Sequence, residues 1–295
     1  MKRPRWTGLL LGCLLWLAAP AAAGADGGTS TRQCASADGF VRVQSERAIN
    51  PARCLAVAER VVRAYAFVAA VASWNRQDRL RAKPLRFRLL DGSMRGLGYA
   101  EGLDLMVVRD AYLDAPLSEG TLAHELMHIQ DARQLGGRRL PSFLAEGRAL
   151  TVGHAYRMAL GQEKGDYDRR MAASAATFTA KDADRLLRDY EGSGWDNQAI
   201  GTALVEYMRT RWNGTGVPDV GARLSRMIER MGAGDGFDSA FRKEFGTPFG
   251  DLRKAYAKYL DDTAGDPRAR LQGTIWEAVG AAASSERRGE TSAAR

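Results

Sequence analysis

Two histidines four residues apart constrain this chain more than any other feature: His124-Glu125-Leu126-Met127-His128. On a helix residues at i and i+4 leave the same face one turn apart, whereas on a strand they would stand about 13 Å apart, so a helix is the conformation that aims both imidazoles at one point. The neighbouring residues agree. Ser118 is a candidate N-cap, Glu119 suits the positive end of the helix dipole, and Leu122, Ala123, Leu126, Met127 and Ile129 form an apolar stripe that continues to Leu135. Gly136-Gly137 stops the helix and Pro141 opens another. The chain has only three histidines, so a pair at this spacing reads as one metal-binding unit rather than scattered surface imidazoles.

A catalytic zinc needs three protein ligands and one open position. A third histidine six residues beyond His128 is absent, because Gln134 stands there. Glu146 is the expected third ligand. The first helix climbs about 10 Å from His128 to Leu135 and the second returns about 8 Å from Pro141 to Glu146, which brings the carboxylate back level with the imidazoles. Ala145, Gly147 and Ala149 are small enough to let the two helices approach closely. The alternative is that Glu146 is an exposed helix carboxylate. Glu125, between the two ligands, is placed to deprotonate a water rather than to bind the ion. The expectation is one Zn2+ per chain, held by His124, His128 and Glu146. A purely structural zinc would fill all four positions and use Cys more often.

With these residues in view, the chain resembles the gluzincin zinc metallopeptidases, in particular their peptidase MA-like, thermolysin-like branch. The resemblance rests on the motif at 124–128 followed by Phe143-Leu144-Ala145-Glu146-Gly147-Arg148-Ala149, which is similar to that branch's Trp-Leu-x-Glu-Gly-x-Ala segment with Phe143 in the tryptophan's place. Residues 199–208 and 237–246 are more loosely similar to the helical tail of the group, and the likeness spans about residues 85–262. It implies a zincin-like fold: α+β and predominantly helical, with a small N-terminal sheet, an active-site helix and a helical C-terminal part. It also implies hydrolysis of peptide or protein substrates with Glu125 as general base. The alternative, from another class, is a zincin-fold envelope protein that binds or scaffolds without turnover.

Such enzymes add a Tyr or His that stabilises the oxyanion, and several residues compete for that role. His154 lies two helical turns beyond Glu146 and reads either as this group or as a satisfied structural histidine; Tyr156, Tyr190 and Tyr207 are weaker candidates. Asp131, one turn beyond His128, is either an acceptor for that imidazole's second N–H or a solvated surface aspartate. Strands are expected at 85–90 and 98–101 and over 103–108. In zincins a sheet edge above the metal pairs with extended substrate, so Leu103, Leu105 and Val107 are candidates for that edge, against an interior strand with no free side.

Residues 1–25 read as a secretory signal peptide: Lys2, Arg3 and Arg5, then an apolar run to residue 19, then Pro20 and small residues. The run falls short of the roughly 20 residues that span a bilayer, so no stable membrane insertion is expected after cleavage. Export to the periplasm or outside the cell follows, with lipid anchoring through Cys13 as the alternative. Cleavage leaves Cys34 and Cys54, which are expected to form a disulfide in that compartment. Three of the basic residues leave with the leader, so the net charge falls from +8 to +5. The remaining basic residues interleave with acids, and no nucleic-acid partner is indicated. The expected organisation is an extended segment at 26–50, one metallopeptidase domain at 51–263 and a largely disordered tail at 264–295. Within the domain, helices are expected at 51–74 and near 167–174, 182–189, 197–212, 219–231, 236–245 and 249–260, with one further helical turn at 271–279 in the tail.

Overall fold

Alternation of apolar and polar residues builds the sheet. Val41 and Val43 of β2 (Val41–Ile49) and Leu85, Phe87 and Leu89 of β3 (Leu85–Leu90) point inward, while Arg42, Gln44, Arg86 and Arg88 stay on the outer face. β1 (Thr31–Ala35), β4 (Gly98–Glu101) and β5 (Leu105–Arg109) complete five strands in the order β1-β2-β3-β5-β4. The inner three are parallel, and β1 and β4 run antiparallel at the two edges. This computed structural model describes residues 30–72, 83–92, 97–115, 118–162, 177–189, 194–212 and 220–263. The chain is α+β and predominantly helical, with this small mixed sheet near its N-terminus.

Helix α1 (Pro51–Ala72) lies between the parallel strands β2 and β3, as a parallel pair requires of its connection. Its start is specified locally: Pro51 has no N–H to leave unpaired, and the Ala52 N–H donates to Asn50 Oδ1 at 2.8 Å. Cys54, fully buried on this helix, is bonded to Cys34 of β1, with Cα atoms 6.1 Å apart. The bond ties the edge strand to the helix across a separation of 20 residues, a closure worth about 3 kcal/mol.

After α2 (Asp110–Leu113) come α3 (Ser118–Leu135), α4 (Ser142–Ala159), α5 (Ala180–Asp189), α6 (Gly194–Trp212), α7 (Val220–Gly232), α8 (Phe237–Phe245) and α9 (Phe249–Asp262). They bury two cores. The first joins the inner sheet face to α1 and to Leu122, Ala123, Leu126, Met127 and Ile129 of α3. The second gathers α5 to α9, including Phe241, Phe245, Phe249 and Tyr256. α4 belongs to both, because Ala149, Val152 and Tyr156 face the first core while Phe143 and Leu144 face the second. It carries Glu146 between them.

Ser118 does not cap α3. Its hydroxyl donates to the Ala115 carbonyl at 2.7 Å and accepts from the Arg60 guanidinium, which also holds Glu119 at 2.5 Å. An arginine on α1 thus fixes the start of the histidine-bearing helix. Gly136 at φ 61° and Gly137 at φ 91° end it in the left-handed region, where other residues are strained. The expected leader at 1–25, the helical segments near 167–174 and 271–279, and the tail at 264–295 lie outside the described residues. Among the described residues, no helix is long and apolar enough to cross a membrane.

Candidate metal centre

Antiparallel helices α3 and α4 set the site. They cross closely at Gly120 and Gly153, where a Cβ on Gly153 would stand 2.5 Å from the Gly120 carbonyl oxygen and 3.5 Å from His124 Cβ. Seven residues back along α4 and seven forward along α3 are each about 10.5 Å of rise. That arithmetic brings Glu146 opposite Met127, between the two histidines, and the side chains meet there. Gly147 serves a different contact from the one expected of it. It abuts Gly201 of α6, and a methyl group on either glycine would overlap the other helix's backbone.

His124 Nε2 and His128 Nε2 are 3.1 Å apart. Glu146 Oε2 is 3.4 Å from the first and Glu146 Oε1 is 3.6 Å from the second. Among the described residues this is the one group of three potential ligands whose donor atoms converge, all within 4.8 Å of one another. A metal ion fits this group. The rings stand edge to face, with centroids 4.7 Å apart. From α6, the Gln198 side-chain amide donates to Glu146 Oε2 at 3.1 Å.

The electrostatics divide the three groups. Burial opposes charge on His124, but its hydrogen bond to Glu146 and the charges of Glu125 and Glu146 outweigh that, so its pKa lies above the usual imidazole value. Burial, reinforced by the charge on His124, pushes His128 down to about 4 despite the attraction of Glu146. For Glu146 burial favours the neutral acid, yet the bond from His124, both imidazoles and the Gln198 amide hold it below the ordinary carboxylate range. Glu125, only 8% exposed, moves the other way. Burial raises it and the charge of Glu146 adds to this, while His124 and a backbone hydrogen bond from Ala100 pull against. Ala100 belongs to the edge strand β4, so the outermost strand reaches the carboxyl group beside the histidines.

That strand corrects one expectation. Leu103, Leu105 and Val107 do not form the free edge. Leu105 pairs with Arg86 on one side and Glu101 on the other, and Val107 pairs with Arg88 and Tyr99. Leu103 lies in the turn before β5, its carbonyl accepting from Arg133 Nε at 2.6 Å. The chain doubles back antiparallel after β4, which buries β5 and leaves β4 outermost.

Asp131 answers neither of its expected descriptions. It is 3% exposed, so it is no surface aspartate, and it pairs with the Arg148 guanidinium rather than with His128. Arg148 also donates to Ser225 Oγ of α7 at 2.8 Å. Burial lifts Asp131 to about 6 against the pull of Arg148 and lowers Arg148 in turn. His154 is 3% exposed and eight residues beyond Glu146, about 12 Å along the helix, and it does not join the cluster. Tyr156 packs on Phe67 with ring centroids 5.0 Å apart, and burial raises it to about 12. Tyr207 packs between Tyr256 and Tyr259 in the second core. Tyr190 lies outside the described residues.

Gln198 and Arg148 were not singled out in the sequence. Their partners sit 52 and 17 residues away, and no local pattern announces them. The small-residue match of Gly147 with Gly201 was the available clue that α6 docks against the Glu146 helix. Comparison with protein-family models, curated proteins and solved structures finds no match for this chain.

Proposed function

We propose that this protein is a zinc-dependent peptidase of gluzincin type, in which Glu125 acts as general base. The observation that carries the reading is the convergence of two imidazole nitrogens, 3.1 Å apart, on the two oxygens of one carboxylate, Oε2 at 3.4 Å from His124 and Oε1 at 3.6 Å from His128. A tetrahedral ion with bonds of about 2.05 Å has ligand-to-ligand edges of about 3.35 Å, and donors at these separations lie close to the spacing that one ion would impose. Two nitrogens and one oxygen are also the ligand set of a catalytic rather than a structural zinc.

A zinc ion held by His124, His128 and Glu146 would supply Lewis acidity to a water and to a substrate carbonyl. The residues of the chain do the rest. A carboxylate oxygen of Glu125 takes the proton from the attacking water and passes it to the amine nitrogen as the peptide bond breaks. Burial suits Glu125 to taking the proton, because a carboxylate whose pKa is raised is the stronger base and holds the proton until the amine departs. The Ala100 backbone holds this carboxyl at the sheet edge. An extended peptide added alongside β4 would therefore run past the general base. Export by the N-terminal leader is part of the same reading, and the disulfide is consistent with it.

The test is cleavage of a broad peptide library by zinc-loaded protein and by Glu125→Gln. Wild type should cleave, and the variant should bind zinc yet fail to cleave. A zinc-loaded wild type that cleaves nothing would favour a zincin-fold binding protein without turnover. A variant as active as wild type would remove Glu125 from the mechanism.

A further inference from the structure

We infer that Gln198 is a positioning residue that makes Glu146 a one-oxygen ligand. The inference rests on the metal reading above and concerns how the carboxylate is presented. The two oxygens of Glu146 have different surroundings. Oε1 faces His128 at 3.6 Å, while Oε2 faces His124 at 3.4 Å and accepts the Gln198 amide at 3.1 Å. A carboxylate oxygen that already accepts a hydrogen bond is the poorer metal donor, so an ion would take Oε1 and leave Oε2 to the amide. One-oxygen ligation keeps the site four-coordinate and reserves the remaining corner for solvent. Two-oxygen ligation would fill it.

The placement of Gln198 is specified by packing. α6 lies against α4 through the Gly147 and Gly201 contact, and Gln198 stands one turn before Gly201. The backbone approach therefore fixes the distance from which the amide reaches Glu146. Thr202 adds a restraint, its hydroxyl donating to the Gln198 carbonyl at 2.7 Å. Among the described residues α6 supplies no metal ligand, yet it governs the orientation of one that α4 supplies.

The experiment uses Co2+ as a spectroscopic substitute and Zn2+ competition for affinity, on the full chain, with Gln198→Met and Gln198→Ala. Methionine keeps the length of the side chain and removes its donor. Wild type should give the intense visible absorption of a four-coordinate cobalt site. Both variants should shift to the weaker bands of higher coordination and lose about 10- to 100-fold in zinc affinity. Metal-free melting curves identify a variant that has merely unfolded, and Gln198→Asn, with a shorter amide, should retain part of the wild-type spectrum. Variants with unchanged spectrum and affinity overturn the inference while leaving the metal site intact. A wild type that takes up no cobalt overturns the metal site itself, and the role of Gln198 with it.

Discussion

Helices α3 and α4 meet in two polar contacts about one turn apart, and the two are built on opposite plans. At Asp131 the buried carboxylate is answered by Arg148, a cation that the chain itself supplies, with Ser225 taking a second guanidinium donor. At Glu146 the carboxylate meets two imidazole nitrogens and an amide. Neither imidazole carries a fixed charge, and His128 is held neutral down to about pH 4. One contact is closed by the fold. The other gathers electron-pair donors around a point, which is the arrangement of a site completed from outside. The same two helices thus set a structural charge pair beside a cluster that could hold a metal ion.

The comparison can be broken at several points. The largest expected effect is on turnover: Glu125→Gln should lower kcat by about 10²- to 10⁴-fold while zinc content stays near one per chain. Unchanged kcat would contradict the assigned role. Next come the two contacts themselves. Asp131→Ala should cost about 3–5 kcal/mol in denaturant unfolding, because it leaves a buried guanidinium unpaired. Glu146→Ala should instead abolish stoichiometric zinc uptake at a smaller cost to the metal-free fold. If Asp131→Ala abolished zinc binding at unchanged stability, the two contacts would have been assigned the wrong way round.

A smaller effect is expected where α6 meets α4. Gly201→Ala should cost about 1–3 kcal/mol by forcing the helices apart, and it should weaken zinc binding through Gln198. A neutral substitution would show that the close approach is dispensable. The smallest effect is on pH dependence. Zinc needs the neutral imidazole of His124, whose pKa is raised, so a proton competes at and below that value. Affinity should fall as the pH drops toward about 6, which lies below even the ordinary imidazole value, with a proton released on binding at the lower end. His128, already neutral over this range, adds nothing to the slope. Affinity that stays flat in a zinc titration across that range would contradict the assignment.

Much of this arrangement was legible along the chain. The histidine helix, its glycine stop and the return of Glu146 to the same level follow from helical rise, because each is set within about 30 residues. Cys34 and Cys54 were the two cysteines left beyond the expected leader, and they are bonded. The helices from α5 to α9 begin and end within a few residues of the expected bounds. What failed was pairing at a distance. Sequence pattern places a strand over 103–108, but whether it is an edge depends on where β4 folds back. The segment at 26–50 was taken as merely extended, although the alternation Val41, Val43, Ser45 is that of a half-buried strand, and it supplies β1 and β2. Asp131 lies at the right spacing from His128, and only the neighbouring helix reveals that Arg148 takes it instead.

The most direct measurement is a crystal structure of the protein grown with zinc, with anomalous data collected at the zinc edge. A single strong peak should lie within about 2.0–2.2 Å of Nε2 on both His124 and His128 and of one oxygen of Glu146. No peak at that point, or a peak elsewhere with Glu146 turned away from both imidazoles, would contradict the account.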